Sequence, residues 1–284
     1  LGQLESIATR FSAFQNTLKP SLNNIDVVIM AGDHGVAAEG VSAFPQAVTV
    51  EMIRNFVNGG AAISVLAKYN QAQLSVVNCG TAFEIDFADQ FADPASANLE
   101  TPAATAQPGD STPLPEFVNT PIAEGTADFS VQSAMTESQL EQALALGRSI
   151  VDQAKKEGVD LFIAGEMGIG NTTSASALGC AYLAQPAADM TGHGTGINEA
   201  AWKNKVQVIE RSIARAVSDH GVANASELTA SNVLQELGGL EIAAIVGAYI
   251  RCAQVGIPAL VDGFITTVNF ATVIPIFTAI FYIK

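Results

Sequence analysis

Short apolar runs rich in β-branched residues alternate along this chain with longer stretches that are amphipathic or alanine-rich. Residues 26–30, 74–77, 159–164 and 257–261 read as buried parallel strands. Helices are expected between them, over 48–58, 60–69, 137–157, 172–184, 198–218 and 233–254. This alternation, with glycines at the strand ends, predicts an α/β fold with a mostly parallel sheet and helices on both faces. Ligands then belong beyond the carboxyl ends of the strands. At the start of the chain, Leu4, Ile7, Phe11 and Phe14 recur at helical spacing, so residues 1–18 are expected to form a helix with one packed face. Residues 93–121 break the pattern. They are rich in Pro, Ala, Thr and Ser, and are expected to be a long surface loop without chemistry.

Composition narrows the possible partners. The chain has 284 residues, 49% of them apolar, enough for one large core with a small satellite domain. Its net charge of −15 comes from a shortage of basic residues, which makes nucleic acid and anionic membrane surfaces poor partners. Cys79, Cys180 and Cys252 are odd in number and lack CxxC spacing. That fits buried thiols in a reducing, cytoplasmic setting and argues against disulfides or a zinc site. The opening residues mix charges into a helical pattern, unlike a cleavable signal peptide. An uncharged run over 264–283 is as long as a membrane span, but Thr266, Thr267, Asn269 and Pro275 interrupt it and no basic flank precedes it. A buried strand followed by a core helix is the expected reading.

The most informative stretch is Gly165-Glu166-Met167-Gly168-Ile169-Gly170-Asn171-Thr172-Thr173, which separates an apolar run from an alanine-rich helical run. A strand, tight loop and helix N-terminus offer backbone N–H groups and a helix dipole to an anion such as phosphate. No Lys follows the last glycine, so this is not a nucleotide-triphosphate loop, and Glu166 implies chemistry beyond anion binding. Other polar clusters follow the remaining strands. Asp33 and His34 read as a turn or cap, or as site residues. Ser42, Phe44 and Gln46 suit a flat heteroaromatic ligand, or equally a helix-start staple. A second glycine-rich loop, Thr191-Gly192-His193-Gly194-Thr195-Gly196, precedes a helix carrying Lys203 and Lys205. The loop could contact a phosphate or ribose, and Lys205 could supply the positive charge that the first loop lacks, although either lysine alone also reads as part of a solvated helix face. Gly238-Gly239-Leu240-Glu241 and Asp262-Gly263-Phe264 complete the set. His34 and His193 are too isolated from other ligand types to suggest a metal centre.

In order and spacing these blocks, with Leu1-Gly2-Gln3-Leu4-Glu5 and Phe56-Val57-Asn58-Gly59-Gly60-Ala61-Ala62-Ile63, resemble the nicotinate-nucleotide:dimethylbenzimidazole phosphoribosyltransferase family. The resemblance runs from the first residue to about Thr267. It implies transfer of 5-phosphoribose from nicotinate mononucleotide to 5,6-dimethylbenzimidazole, the lower-ligand step of cobalamin biosynthesis. It also implies a homodimer. The implied fold is a Rossmann-like sheet domain over 23–266, beside a small helical domain built from 1–22 and 267–284. On this reading Gly165, Met167, Gly168, Ile169, Gly170, Asn171, Thr172, Gly194, Thr195, Lys205 and Asp262 hold phosphate and ribose. Asp33, His34, Ser42, Phe44 and Gln46 line the benzimidazole pocket, and Glu166 is the catalytic carboxylate. No metal or cofactor is expected, because the donor has no pyrophosphate to neutralise. The family's C-terminal catalytic glutamate has no counterpart in 269–284, and His193 stands where the family often has Arg. The sequence is therefore expected to be incomplete at its ends. The alternative is a non-catalytic relative that binds a nucleotide or a benzimidazole. A Rossmann dehydrogenase fits less well, since no glycine fingerprint follows the first strand.

Overall fold

The computed structural model describes residues 2–86, 115–269 and 271–272. Its helices are α1 (Gln3–Phe14), α2 (Ala47–Val57), α3 (Ala62–Tyr69), α4 (Glu137–Lys156), α5 (Asn171–Leu183), α6 (Ala187–Met190), α7 (Glu199–Asp219), α8 (Ala230–Leu237) and α9 (Leu240–Val255). Five strands, β1 (Ile25–Gly32), β2 (Gln73–Gly80), β3 (Glu116–Asn119), β4 (Leu161–Met167) and β5 (Ala259–Leu260), form one sheet in the order β3-β2-β1-β4-β5. Every pairing is parallel, so all carboxyl ends lie on one edge. The α/β fold expected from the hydrophobic pattern is what forms.

Both faces of the sheet are covered, which is why β1 is apolar at nearly every position. Val27, Ile29 and Val76 pack with Ile53 and Phe56 of α2 on one face. On the other, Val28, Met30 and Phe162 meet Leu240, Ile242 and Ile245 of α9. Each fully buried side chain of this size contributes about 1.5–3 kcal/mol. Helices α4 and α9 approach closely because glycines face each other's backbone: a Cβ on Gly147 would lie 1.8 Å from Ala244 O, and one on Gly247 would lie 2.2 Å from Leu144 O. Helix α5 is buried around almost its whole circumference, in keeping with its Ala, Ser and Cys content. All three cysteines are buried free thiols; burial pushes Cys180 up to about 11 and Cys252 to about 12, and moves Cys79 in the same direction.

Three elements differ from expectation. The helix expected over 233–254 is two helices, because the chain is extended at Gly238 and Gly239. Ser174 Oγ donates to Leu237 O at 2.5 Å and ties down the end of α8. Residues 116–119, expected to be loop, form the edge strand β3, with Ser75 opposite Glu116 and Asn78 opposite Asn119. As an edge strand it is only partly buried and carries no apolar run to reveal it. Strand β5 is shorter than 257–261, pairing only Ala259 and Leu260 with Phe162 and Ile163. The expected loop lies outside the described residues from 93 to 114, as does the apolar terminal run beyond 272. Among the described residues no helix is long and apolar enough to cross a membrane. The apolar face of α1 is not fully buried; Ile7, Phe11 and Phe14 line a groove with Tyr249, Cys252 and Leu260.

Candidate active site at the carboxyl edge of the sheet

Parallel pairing brings the polar strand ends together. Met30 lies opposite Glu166, Ala31 opposite Met167, and Gly32 opposite Gly80, so the 32–35 and 165–173 loops leave the sheet side by side. Helices α5 and α9 both start at this edge. Their N-termini contribute partial positive charge where the carboxylates gather.

At the floor of the site, Glu241 in the first turn of α9 is fully buried and its Oε1 lies 2.7 Å from His34 Nε2. Space for its carboxylate comes from missing side chains. A Cβ on Gly32 or on Gly239 would lie 2.8 Å from Glu241 Oε2, and one on Gly168 would lie 3.4 Å from Oε1. Neither Glu241 Oε2 nor His34 Nδ1 has a hydrogen-bond partner among the described residues. Burial lowers the proton affinity of His34, but the Glu241 charge and hydrogen bond, with Asp33 and Glu166, outweigh it and hold His34 above its ordinary value. Asp33 is also fully buried; it accepts from Thr49 Oγ1 at 2.6 Å and from the Ala82 backbone at 2.9 Å. Burial raises its proton affinity against those two hydrogen bonds. Both Asp33 oxygens are therefore engaged in bracing the first strand loop to α2 and to the segment after β2.

Glu166 sits above this floor, partly buried, and accepts a hydrogen bond from Asn171 Nδ2. Burial and the negative charge of Glu241 push its carboxyl up to about 7, against the opposing effects of Asn171 and His34. The loop offers fewer free backbone donors than its glycines suggest. Ile169 N–H donates to Thr49 Oγ1 at 3.2 Å, Asn171 N–H to Gly168 O and Thr173 N–H to Gly170 O. The cation that the loop lacks comes from α7. Lys205 is 1% exposed and donates from Nζ to Thr172 Oγ1 at 2.7 Å. A Cβ on Gly194 would lie 2.9 Å from each of those two atoms, so the second glycine loop closes directly over them. Among the described residues Lys205 forms no ion pair, and burial lowers it to about 8. Lys203, by contrast, is 66% exposed and faces Glu199 at 3.8 Å. The structure thus separates two lysines of one helix: one is buried beside a helix N-terminus with no counter-ion among the described residues, the other is solvated.

The aromatic corner also assembles. Thr195 Oγ1 lies 3.2 Å from Ser42 Oγ and accepts from Ala43 N at 2.9 Å, joining the two loops. Gln46 Nε2 donates to His34 O at 3.0 Å. Phe44 leaves its ring 52% exposed beside them. Two residues stand apart. His193 bonds Ile197 O through Nδ1 and tilts against Trp202, and Asp262 is exposed past β5 without a side-chain bond to either glycine loop among the described residues. Sequence reasoning placed Glu241 in a polar cluster without giving it a role, and missed Thr49. The Gly238-Gly239 pair is the signal that marks Glu241, whereas Thr49 has none, being one hydroxyl within a helix.

A family model described as phosphoribosyltransferase matches residues 1–276. A relative from Pseudomonas fluorescens (strain SBW25), named nicotinate-nucleotide--dimethylbenzimidazole phosphoribosyltransferase, is 48% identical over 268 residues, covering 94% of this chain and 67% of that protein. A relative of the same name from Xanthomonas euvesicatoria pv. vesicatoria (strain 85-10) is 46% identical over 267 residues, with the same coverage. The crystal structure of CobT from Thermus thermophilus superposes with a TM-score of 0.80 at 35% identity, covering 96% of this chain and 72% of that one. With a buried cation, a carboxylate poised near neutrality and this likeness along nearly its whole length, the chain belongs to the nicotinate-nucleotide:dimethylbenzimidazole phosphoribosyltransferase family.

Proposed function

We propose that this protein transfers 5-phosphoribose from nicotinate mononucleotide to 5,6-dimethylbenzimidazole, giving α-ribazole 5′-phosphate and nicotinate. The observation that carries this reading is the pairing of a buried, uncompensated Lys205 with a carboxylate, Glu166, held up to about 7 at the same strand-end loop. Lys205 and Thr172, under Gly194 and Thr195, bind the nucleotide phosphate, because a desolvated ammonium without a counter-ion gains most from an anion. Gly165 to Thr172 form the wall along the phosphoribose. Ser42, Phe44 and Gln46 bound the flat acceptor, with Phe44 stacking on its ring.

In the chemical step one acceptor ring nitrogen attacks C1′ of the ribose. The C1′–N bond to the pyridinium breaks, its electron pair returning to the nicotinate ring. The departing ring is then uncharged at nitrogen and needs no general acid. The N–H proton on the other azole nitrogen passes to Glu166, and a single displacement inverts the anomeric centre from β to α. Glu166 also places negative charge near the cationic character that develops at C1′.

Incubation of the protein with nicotinate mononucleotide and dimethylbenzimidazole, followed by chromatography and mass spectrometry, is expected to show α-ribazole phosphate. A folded protein that binds nicotinate mononucleotide by calorimetry yet gives no product with several benzimidazoles would support a non-catalytic binding role instead. We further propose that α1 belongs to a small helical domain, that the protein acts as a homodimer, and that it works in the cytoplasm. The exposed apolar face of α1 supports the first two, and three free thiols the third. Sedimentation of the purified protein tests the dimer.

A further inference from the structure

We propose that Thr49 of α2 is a positioning residue for the phosphoribosyl donor: its hydroxyl tethers the 168–170 turn to Asp33 and so fixes the wall that the nucleotide meets. This inference rests on the reading of Gly165 to Thr172 as that wall, and not on which carboxylate takes the proton. It starts from the turn itself. With glycine at 165, 168 and 170, and a left-handed φ of 99° at Gly170, the segment has little stiffness of its own. Its internal hydrogen bonds are local, from Asn171 N–H to Gly168 O at 3.2 Å and from Thr173 N–H to Gly170 O at 2.9 Å. One bond leads outward. Among the described residues, 168–170 reach beyond 165–174 through a single hydrogen bond, from Ile169 N–H to Thr49 Oγ1 at 3.2 Å.

The tether ends on a fixed point. Asp33 is fully buried and held on four sides: its N–H donates to Gly80 O, its carbonyl accepts from Thr126 N–H and its Oδ2 accepts from Ala82 N–H, each at 2.9 Å. Thr49 is the fourth. A backbone N–H can only donate, so a lone pair of Thr49 Oγ1 takes Ile169 and its single proton is left for Asp33 Oδ1, at 2.6 Å. The hydroxyl is used in both directions. Thr49 is itself fully buried, where a hydroxyl is costly unless bonded and valine would fill the same space. A threonine within a helix can return its proton to a carbonyl one turn back, whereas this one reaches across to a neighbouring loop. The turn lies so close to the loop after β1 that a Cβ on Gly168 would sit 2.1 Å from Gly32 O. Lys205 holds the other end of the turn through Thr172, but its ammonium is the group that the phosphate engages. The Thr49 tether is the one that stays when nucleotide binds.

Thr49→Val keeps the shape and removes both bonds. In that variant, amide hydrogen exchange at Ile169, followed by NMR, should speed up about tenfold or more. The calorimetric Kd for nicotinate mononucleotide should rise about 3–10-fold, the worth of one hydrogen bond, while that for dimethylbenzimidazole stays within about two-fold. Thr49→Ser retains the hydroxyl and should restore both readings. A threonine that served packing alone would lower Tm on substitution and leave Ile169 exchange and nucleotide affinity as they are. Unchanged exchange, an equal loss of both ligands, or a serine variant that behaves like valine overturns the proposal. If Thr49→Val does not fold, Thr49→Ala is read in its place with the same outcomes. Lys205→Met separates the tether from the reading beneath it. If that variant weakens nucleotide binding while Thr49→Val frees Ile169 at unchanged affinity, the tether's role is wrong and the phosphate site stands. If neither variant affects the nucleotide, the wall itself is misread and the proposal falls with it.

Discussion

Two buried glutamates flank the Gly238-Gly239 break, and each faces a histidine, yet their surroundings differ in kind. Glu236 accepts from Arg215 Nη1 at 2.7 Å, His220 Nε2 at 3.0 Å and Ser133 Oγ at 3.0 Å, while its carbonyl accepts from Ala134 N. Every oxygen has a partner, and the network ties α7 and α8 to the 128–135 segment. Glu241 has His34 and an oxygen without a partner among the described residues. The lesson is that burial of a charge does not by itself mark a site. A satisfied buried carboxylate fixes the position of elements, whereas an under-satisfied one at a convergence of strand ends marks chemistry.

The largest expected effect lies at Glu166. Glu166→Gln should lower kcat by about 10²–10⁴-fold, leaving the calorimetric affinity for nicotinate mononucleotide near wild type. A collapse of nucleotide binding with turnover preserved would reverse the role given to Glu166. Next, Glu236→Ala takes acceptors from Arg215, His220 and Ser133 while Arg215 keeps Asp219, and should cost about 1–3 kcal/mol in chemical denaturation, while the folded fraction keeps its kcat. Glu241→Gln, which keeps an acceptor for His34, should cost far less stability. If both variants lose the same stability, the contrast between the two glutamates disappears.

Lys205→Met should weaken nucleotide binding by about 1.5–3 kcal/mol, roughly 10–100-fold, the worth of a charge-assisted hydrogen bond. Because burial lowers Lys205 to about 8, affinity of the free wild type should decline as pH rises through that value, a decline that the variant lacks. Asp26 offers a control away from the site. Burial, then the charges of Glu157 and Glu116, raise it from 3.8 to about 6. The folded state thus binds this proton more tightly than the unfolded chain, so stability falls as pH climbs from the lower value through the higher. Asp26→Asn should therefore add about 1–3 kcal/mol at pH 7.5 and almost nothing at pH 3.5. The smallest effect is expected from Phe44→Ala: a few-fold rise in the KM for dimethylbenzimidazole, with Tm unchanged because the ring is already half exposed.

The sequence by itself determined the layered α/β architecture, since four of the five strands carry apolar runs that water excludes wherever they lie in the chain. It also placed Glu166 and Thr172 at a strand-to-helix junction and the second glycine loop ahead of a helix, because Gly, Asn and Thr mark such junctions through local backbone preferences. Edge strand β3 stayed hidden because exposure removes the need for an apolar run. Only the tertiary structure showed Lys205 buried and Lys203 solvated, two residues on one helix that differ by which side meets α5. Only it brought Glu241 to His34, a contact spanning 207 positions. Backbone preference and hydrophobicity act over a few residues and can be read in order. Desolvation and charge pairing act through space, and the register of parallel strands decides which distant groups share them.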